Sequence, residues 1–288
     1  TKDLNIILYL RRQDIWAEKR YSQGMKMGVL KIEFSEFLTK ISQKIEKANY
    51  EYYNFIDHWK KVFPEAKIIP RIYDRKLFPE GNVILDFLSI LGIDMPEAKE
   101  QKIEANPSLS YLATLVMRKV NEKFDLTPAE HGKVIQCLFK LDHKEGSPIK
   151  TFFTLPERIE FLEHFRESNE RLFREWFNTE NQFVLSEEEI KSYEEQDKIP
   201  KEEIEKLVED RYRKVLAYLM EENIKPTGRI WGIQKPKIEY YYTDEIEFMT
   251  VDVLNVDLLK KGNVTIGGLV SLKKDINGDY RLILKEGE

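Results

Sequence analysis

Two short apolar runs, each leading into basic and polar residues, limit the architectures open to this chain. Ile6-Ile7-Leu8-Tyr9-Leu10 runs straight into Arg11-Arg12-Gln13-Asp14, and Lys67-Ile68-Ile69-Pro70-Arg71-Ile72 into Tyr73-Asp74. Apolar runs of this length, bounded by polar residues, read as strands covered on both faces, as in a parallel sheet flanked by helices. Helical patterns lie between and after them. Phe34, Phe37, Leu38, Ile41 and Ile45 keep three-and-four spacing, with Ser35 placed to cap. Tyr50, Tyr52, Tyr53, Phe55, Ile56, Trp59 and Phe63 form an aromatic helix that Pro64 stops, and an amphipathic run from Val83 to Ile93 follows the second strand. The expected class is α/β.

Ligands of open α/β sheets sit beyond the carboxyl ends of the strands. Arg11 and Arg12 fall at such an end, where the following helix offers free backbone N–H groups and the positive end of its dipole, and a second basic pair, Lys19-Arg20, lies further along that helix. Paired guanidinium groups in that setting suit a phosphate. The plainer alternative is a solvated flank or one half of a surface ion pair.

Order strengthens the first alternative. LNIILYLRRQDIWAEKRYSQ, then KIIPRIYDRKLF, then ILDFLSILGI together resemble the carboxy-terminal half of P-loop-like sulfotransferases, particularly bacterial members linked to surface polysaccharides. Further segments, Asn106-Pro107-Ser108-Leu109-Ser110, Leu115-Val116-Met117-Arg118 and Phe165-Arg166-Glu167-Ser168-Asn169, resemble the helical region that follows the core in those proteins, so the similarity spans residues 3–185. The resemblance implies an incomplete P-loop-like parallel sheet with a large helical region. It puts Arg11 on the 3′-phosphate of the sulfate donor PAPS, Arg12 beside it and Tyr73 near the adenine. Lys19 stands where the family carries a phosphate-binding Ser, and Asp74 where it usually carries Glu. The Gly- or Thr-rich loop that holds the donor's 5′-phosphosulfate in that family does not occur. The expectation is therefore a piece of a longer protein that transfers nothing by itself.

Other chemistries find less support. A net charge of −5 argues against a general nucleic-acid coat. Cys137, the one cysteine, lies between apolar neighbours and reads as a buried small hydrophobe. His58, His131, His143 and His164 lack metal-ligand spacing, no apolar run is long enough to span a bilayer, and Asp275, Asn277 and Asp279 imitate a calcium loop without its glycine. No metal and no catalytic residue is assigned. The default location is cytoplasmic, with peripheral attachment to the inner face of the membrane left open.

Beyond a polar link at 94–107, helices are expected near 109–123, 128–141 and 155–177. Thr127 and Thr154 each precede a Pro-containing, Glu-containing helix start. Residues 186–222 read as an acidic stretch whose glutamates form a solvated face, running into one long amphipathic helix. After a composition shift at 224–228 come strand-like runs at 238–242, 246–254, 264–272 and 280–284, the last two flanking the turn signal Asn277-Gly278. The expected organisation is a partial sulfotransferase-like core over 1–95, a helical region over 96–223 and a small β-rich module over 224–288, with its truncation left open. The expected function is sulfate transfer from PAPS, the nucleotide donor, to a hydroxyl of a carbohydrate acceptor in a surface polysaccharide. The alternative is a noncatalytic binding or scaffolding module of a larger cell-envelope polysaccharide protein.

Overall fold

The computed structural model describes residues 4–42, 49–93, 107–222, 270–274 and 280–284. The chain divides into two compact units, Thr1–Trp231 and Gly232–Glu288.

In the first unit, β1 (Asn5–Leu10) and β2 (Lys67–Ile72) pair in parallel, in register from Asn5 with Lys67 to Leu10 with Ile72. Parallel strands need a long crossover, and among the described residues it carries α1 (Gln13–Lys26), α2 (Phe34–Ser42) and α3 (Tyr52–Val62). Alternation along the strands sends Leu8, Leu10, Ile68 and Ile72 to one face, where they pack with Tyr52 and Ile56 of α3 and with Leu172, Phe173 and Phe183. On the other face lies α4 (Val83–Leu91), which begins with the Asn82 side chain accepting from the Ile84 N–H and ends at Gly92 in the left-handed conformation, φ 66°. Buried Asp86 of α4 accepts hydrogen bonds from the Tyr9 hydroxyl at 2.7 Å and Arg71 Nε at 3.1 Å, so one carboxylate ties this helix to both strands.

The larger core forms around α1. Ala17, Tyr21 and Met25, spaced four apart, are fully buried. They pack among residues of α2, of α5 (Tyr111–Lys123), of α6 (Pro128–Glu145) and of α10 (Lys201–Glu221). Asp14, Glu18 and Ser22, also spaced four apart, are buried too, so α1 is enclosed on a polar stripe as well as an apolar one. Cys137 lies in this core, and burial pushes its thiol pKa up, as suits an inert side chain.

Several boundaries differ from the expectations. Thr127 and Thr154 cap α6 and α7 (Leu155–Glu163) in complete capping boxes with Glu130 and Glu157. Ser35 caps nothing, because α2 already starts at Phe34. The helix expected over 155–177 is three pieces: α7, α8 (Arg166–Leu172) and a wide turn, Phe173–Phe177. The break comes where the Phe165 N–H bonds back to the Leu162 carbonyl and its ring enters the core. The long amphipathic helix expected within 186–222 is α10, and the acidic stretch before it is a helix of its own, α9 (Glu187–Asp197), separated from α10 at Ile199-Pro200, since proline disfavours a helical residue before it and starts a new helix readily.

In the second unit, β3 (Val270–Lys274) and β4 (Tyr280–Leu284) pair antiparallel, Val270 opposite Leu284. The strand-like runs at 238–242 and 246–254 and the Asn277-Gly278 turn lie outside the described residues.

One histidine carries a pH dependence. His131 of α6 places Nε2 3.3 Å from the Asn121 side-chain oxygen and close under Gly28, and burial lowers its pKa. The unfolded chain, with an ordinary histidine near pKa 6.5, takes up a proton that the folded chain resists. This contribution to stability is therefore complete above pH ~6.5 and is lost as pH falls below it, by up to about 1.4 kcal/mol per pH unit. Urea midpoints from pH 8 to pH 5 should fall in the wild type and flatten in His131→Gln. Parallel curves would remove His131 as the cause.

Candidate functional site

The carboxyl ends of β1 and β2 bring Arg11, Arg12 and Tyr73 to one edge of the sheet. The Tyr73 N–H closes the ladder onto the Leu10 carbonyl, and the Tyr52 hydroxyl donates to the Arg11 carbonyl at 2.7 Å. These two bonds fix the backbone from which both arginines leave. The Arg11 guanidinium lies over the Tyr73 ring, 4.1 Å from its centre, a cation–π arrangement that holds a long side chain in one place. Tyr73 is in turn braced edge-on by Tyr9 at 6.2 Å and Phe78 at 5.4 Å.

Arg12 turns the other way. Its Nε and Nη2 donate to Asp14 at 2.8 and 3.0 Å, its Nη1 to the Val184 carbonyl at 2.8 Å and to Glu189 at 2.9 Å, and Nη2 again to Glu189 at 2.7 Å. A guanidinium has five N–H donors, and all are used. Burial works against its charge, yet the bonds to Glu189 and Asp14 more than offset it and hold the guanidinium pKa well above its ordinary value. Where the expectation put Arg12 beside the donor phosphate, the structure has it as a strut between α1 and α9, with each guanidinium N–H bonded. The same finding corrects the solvated reading of the acidic stretch at Glu189, which also accepts from the Ser186 N–H at 2.9 Å as part of its helix cap.

A second buried arginine completes this polar core. Arg158 of α7 is fully buried and bonds Asp14, the Thr151 hydroxyl and, at 2.9 Å, Glu18. Glu18 also accepts from the Thr151 hydroxyl at 2.6 Å, the Phe152 N–H at 2.8 Å and the Tyr111 hydroxyl at 3.0 Å. Beside this cluster, Gln13 and Asn169 bond each other reciprocally at 2.7 and 3.1 Å. Nothing in the local sequence marks Arg158 or Glu189. The visible signal was the spacing of Asp14 and Glu18, two acids one helical turn apart on a helix that also carries core residues.

Lys19 sits beside that stripe, half-buried. It makes no hydrogen bond or ion pair among the described residues, Glu18 being saturated by its own donors. Burial lowers its pKa, and repulsion from Arg11 lowers it further, so the two cations share one field. Lys19 lines a cavity of about 190 Å³ with Glu18, Ser22, Ser108, Ser110 and Tyr111. Drug-sized ligands occupy roughly 300–1,000 Å³, so this space suits a single phosphate-sized group. The structure thus stacks Arg11 on Tyr73, sets Lys19 on a cavity within the electrostatic reach of Arg11, and bonds Arg12 into the fold. Among the described residues, no group of His, Cys, Asp and Glu is arranged to hold a metal ion, and no helix is long and apolar enough to cross a membrane.

No family model matches the chain. No solved structure matches it. An uncharacterized protein of Archaeoglobus fulgidus is 53% identical to it over 285 residues, which take in 98% of this chain and 75% of that protein. Identity at that level over nearly the whole chain is common descent and common fold, and the chain belongs to the family of that archaeal protein.

Proposed function

We propose that this protein works as a sulfotransferase-like enzyme that takes PAPS as donor and passes its sulfuryl group to a carbohydrate hydroxyl. The observation that carries the proposal is the pair Arg11 and Lys19. Arg11 is stacked on Tyr73, and Lys19 lines a phosphate-sized cavity near enough to Arg11 for repulsion to lower its pKa. An anion placed between them relieves that repulsion, and guanidinium recognises phosphate by geometry as well as charge. Tyr73 serves as the platform for Arg11, with one face of its ring already covered by it. Bound PAPS supplies the activated sulfuryl group; the residues of this chain bind its 3′-phosphate. No Gly-rich cradle for the 5′-phosphosulfate occurs in the sequence, so transfer needs that cradle from elsewhere.

The complete engagement of Arg12 by Asp14 and Glu189 favours the second reading, a noncatalytic module that keeps the fold. Calorimetric titration with adenosine 3′,5′-bisphosphate separates the two. The enzyme reading expects binding that Arg11→Ala weakens by about 2 kcal/mol, the scale of a charge-assisted contact, and that Lys19→Met also weakens. Absence of binding, or equal affinity in Arg11→Ala, would favour the module.

A further inference from the structure

The inner side of α9 serves the fold: Glu189 pairs with Arg12, and the Tyr193 ring lies against Arg158 at 4.1 Å. Glu188, Lys191, Ser192 and Glu195 recur along the same helix at three- and four-residue spacing and so share another face. That face and the segment 148–150 wall a cavity of about 430 Å³, within the range of small-molecule sites. The second wall is pinned in place. Ile149 is buried in the larger core, the Lys150 N–H donates to the Gln196 side-chain oxygen at 2.8 Å, and the Leu155 N–H donates to Asp197 at 2.9 Å.

Gln196 sets this cavity apart from an ordinary surface groove. Its side chain is only 9% exposed, and it lines the cavity. A backbone N–H can meet only the oxygen of an amide, so the bond from Lys150 settles which end of the side chain is which. The NH2 end, with two donors, has no partner among the described residues and is what Gln196 offers to the cavity. Lining the same space are the ammonium groups of Lys150 and Lys191 and the Ser192 hydroxyl, likewise without a hydrogen bond or ion pair among the described residues, together with one unpaired acid, Glu188. Glu195 is held by Lys198 at 2.6 Å.

Free donors therefore outnumber free acceptors, and the unpaired charges leave the lining positive. A carboxylate answers both, because it accepts charge-assisted hydrogen bonds from ammonium and amide groups alike. Glu188 can only accept, so the guest must also carry hydroxyl donors. The space is too large for a bare carboxylate ion and has room for a ring-sized body. We infer that the cavity between α9 and the segment 148–150 binds a small hydroxylated carboxylate of the uronic-acid class, its carboxylate on Gln196 Nε2, Lys150 and Lys191 and a hydroxyl on Glu188. None of these residues belongs to the nucleotide reading, and the inference stands or falls separately from it.

Calorimetric titration of this chain with glucuronate tests the inference, with glucose, which lacks the carboxylate, as the comparison. Wild type is expected to bind glucuronate at least tenfold more tightly than glucose. Gln196→Glu keeps the oxygen that the Lys150 N–H needs and replaces the NH2 donor with a repelling charge, so it should weaken glucuronate binding at least tenfold. Lys150→Met combined with Lys191→Met removes no side-chain bond among the described residues. It should weaken binding to the same extent, and it decides the matter if circular dichroism shows Gln196→Glu unfolded. No binding of glucuronate to wild type, equal affinity for glucose, or undiminished glucuronate affinity in the folded variants would overturn the inference.

Discussion

Arg158→Met is expected to lower the free energy of unfolding by about 3–5 kcal/mol, the cost of breaking a buried ion pair from one side. Arg158 is fully buried, pairs with Asp14 and Glu18 and lies over the rings of Phe153 and Tyr193 at 4.8 and 4.1 Å. Methionine keeps most of the volume, so the loss reports charge rather than a cavity. Asp14 keeps Arg12 as a partner, whereas Glu18 is left with neutral donors alone. The stranded acid is thus the main source of the cost. Adding Glu18→Gln should return about 1 kcal/mol or more, because the amide oxygen still accepts from Thr151 and Phe152 without a buried charge. Urea unfolding of the single and double variants checks both statements. A loss under about 1 kcal/mol for Arg158→Met would mean that water reaches this cluster and screens it.

Phe173→Ala is expected to cost about 3–5 kcal/mol through a cavity. Its ring is fully buried, meets Phe183 edge-on at 5.0 Å and Phe177 at 5.2 Å, and belongs to the cluster that includes Leu10 and the α3 residues Tyr52 and Ile56. These rings lie under the end of β1, the part of the chain that aims Arg11. A domain of this size shifts its midpoint by roughly 2–4 °C per kcal/mol, so thermal unfolding should move down by about 10 °C. A shift under about 2 °C would show that the neighbouring aromatic rings collapse into the space.

What the sequence made legible was local. The apolar runs of β1 and β2, the three-and-four spacing of α2 and the Thr-Pro and Thr-x-Pro starts of α6 and α7 depend on residues within a few positions of one another. The apolar spacing that follows Pro200 marked α10, while the helix before it, α9, has too few apolar residues to show a face. The fate of Arg12 was not legible. Arg11 and Arg12 are neighbours with the same chemistry, and what separates them is a carboxylate 177 positions away, Glu189. Its surroundings, Ser186-Glu187-Glu188-Glu189, look like any solvated helix start. Arg158 was hidden for the same reason, its partner Asp14 lying 144 positions off. Lys19 is distinguished by having no hydrogen-bond partner among the described residues, and nothing in the local sequence marks that.

The proposal turns on a division of labour between two adjacent arginines: Arg12 is bonded into the fold, and Arg11 is proposed to meet a ligand. The most direct measurement is the urea midpoint of wild type and Arg11→Ala, each with and without adenosine 3′,5′-bisphosphate, because a ligand that binds only the folded state stabilises it in proportion to its occupancy. The account predicts an upward shift with ligand in wild type and none in Arg11→Ala. An equal shift in both proteins, or none in wild type, would contradict it.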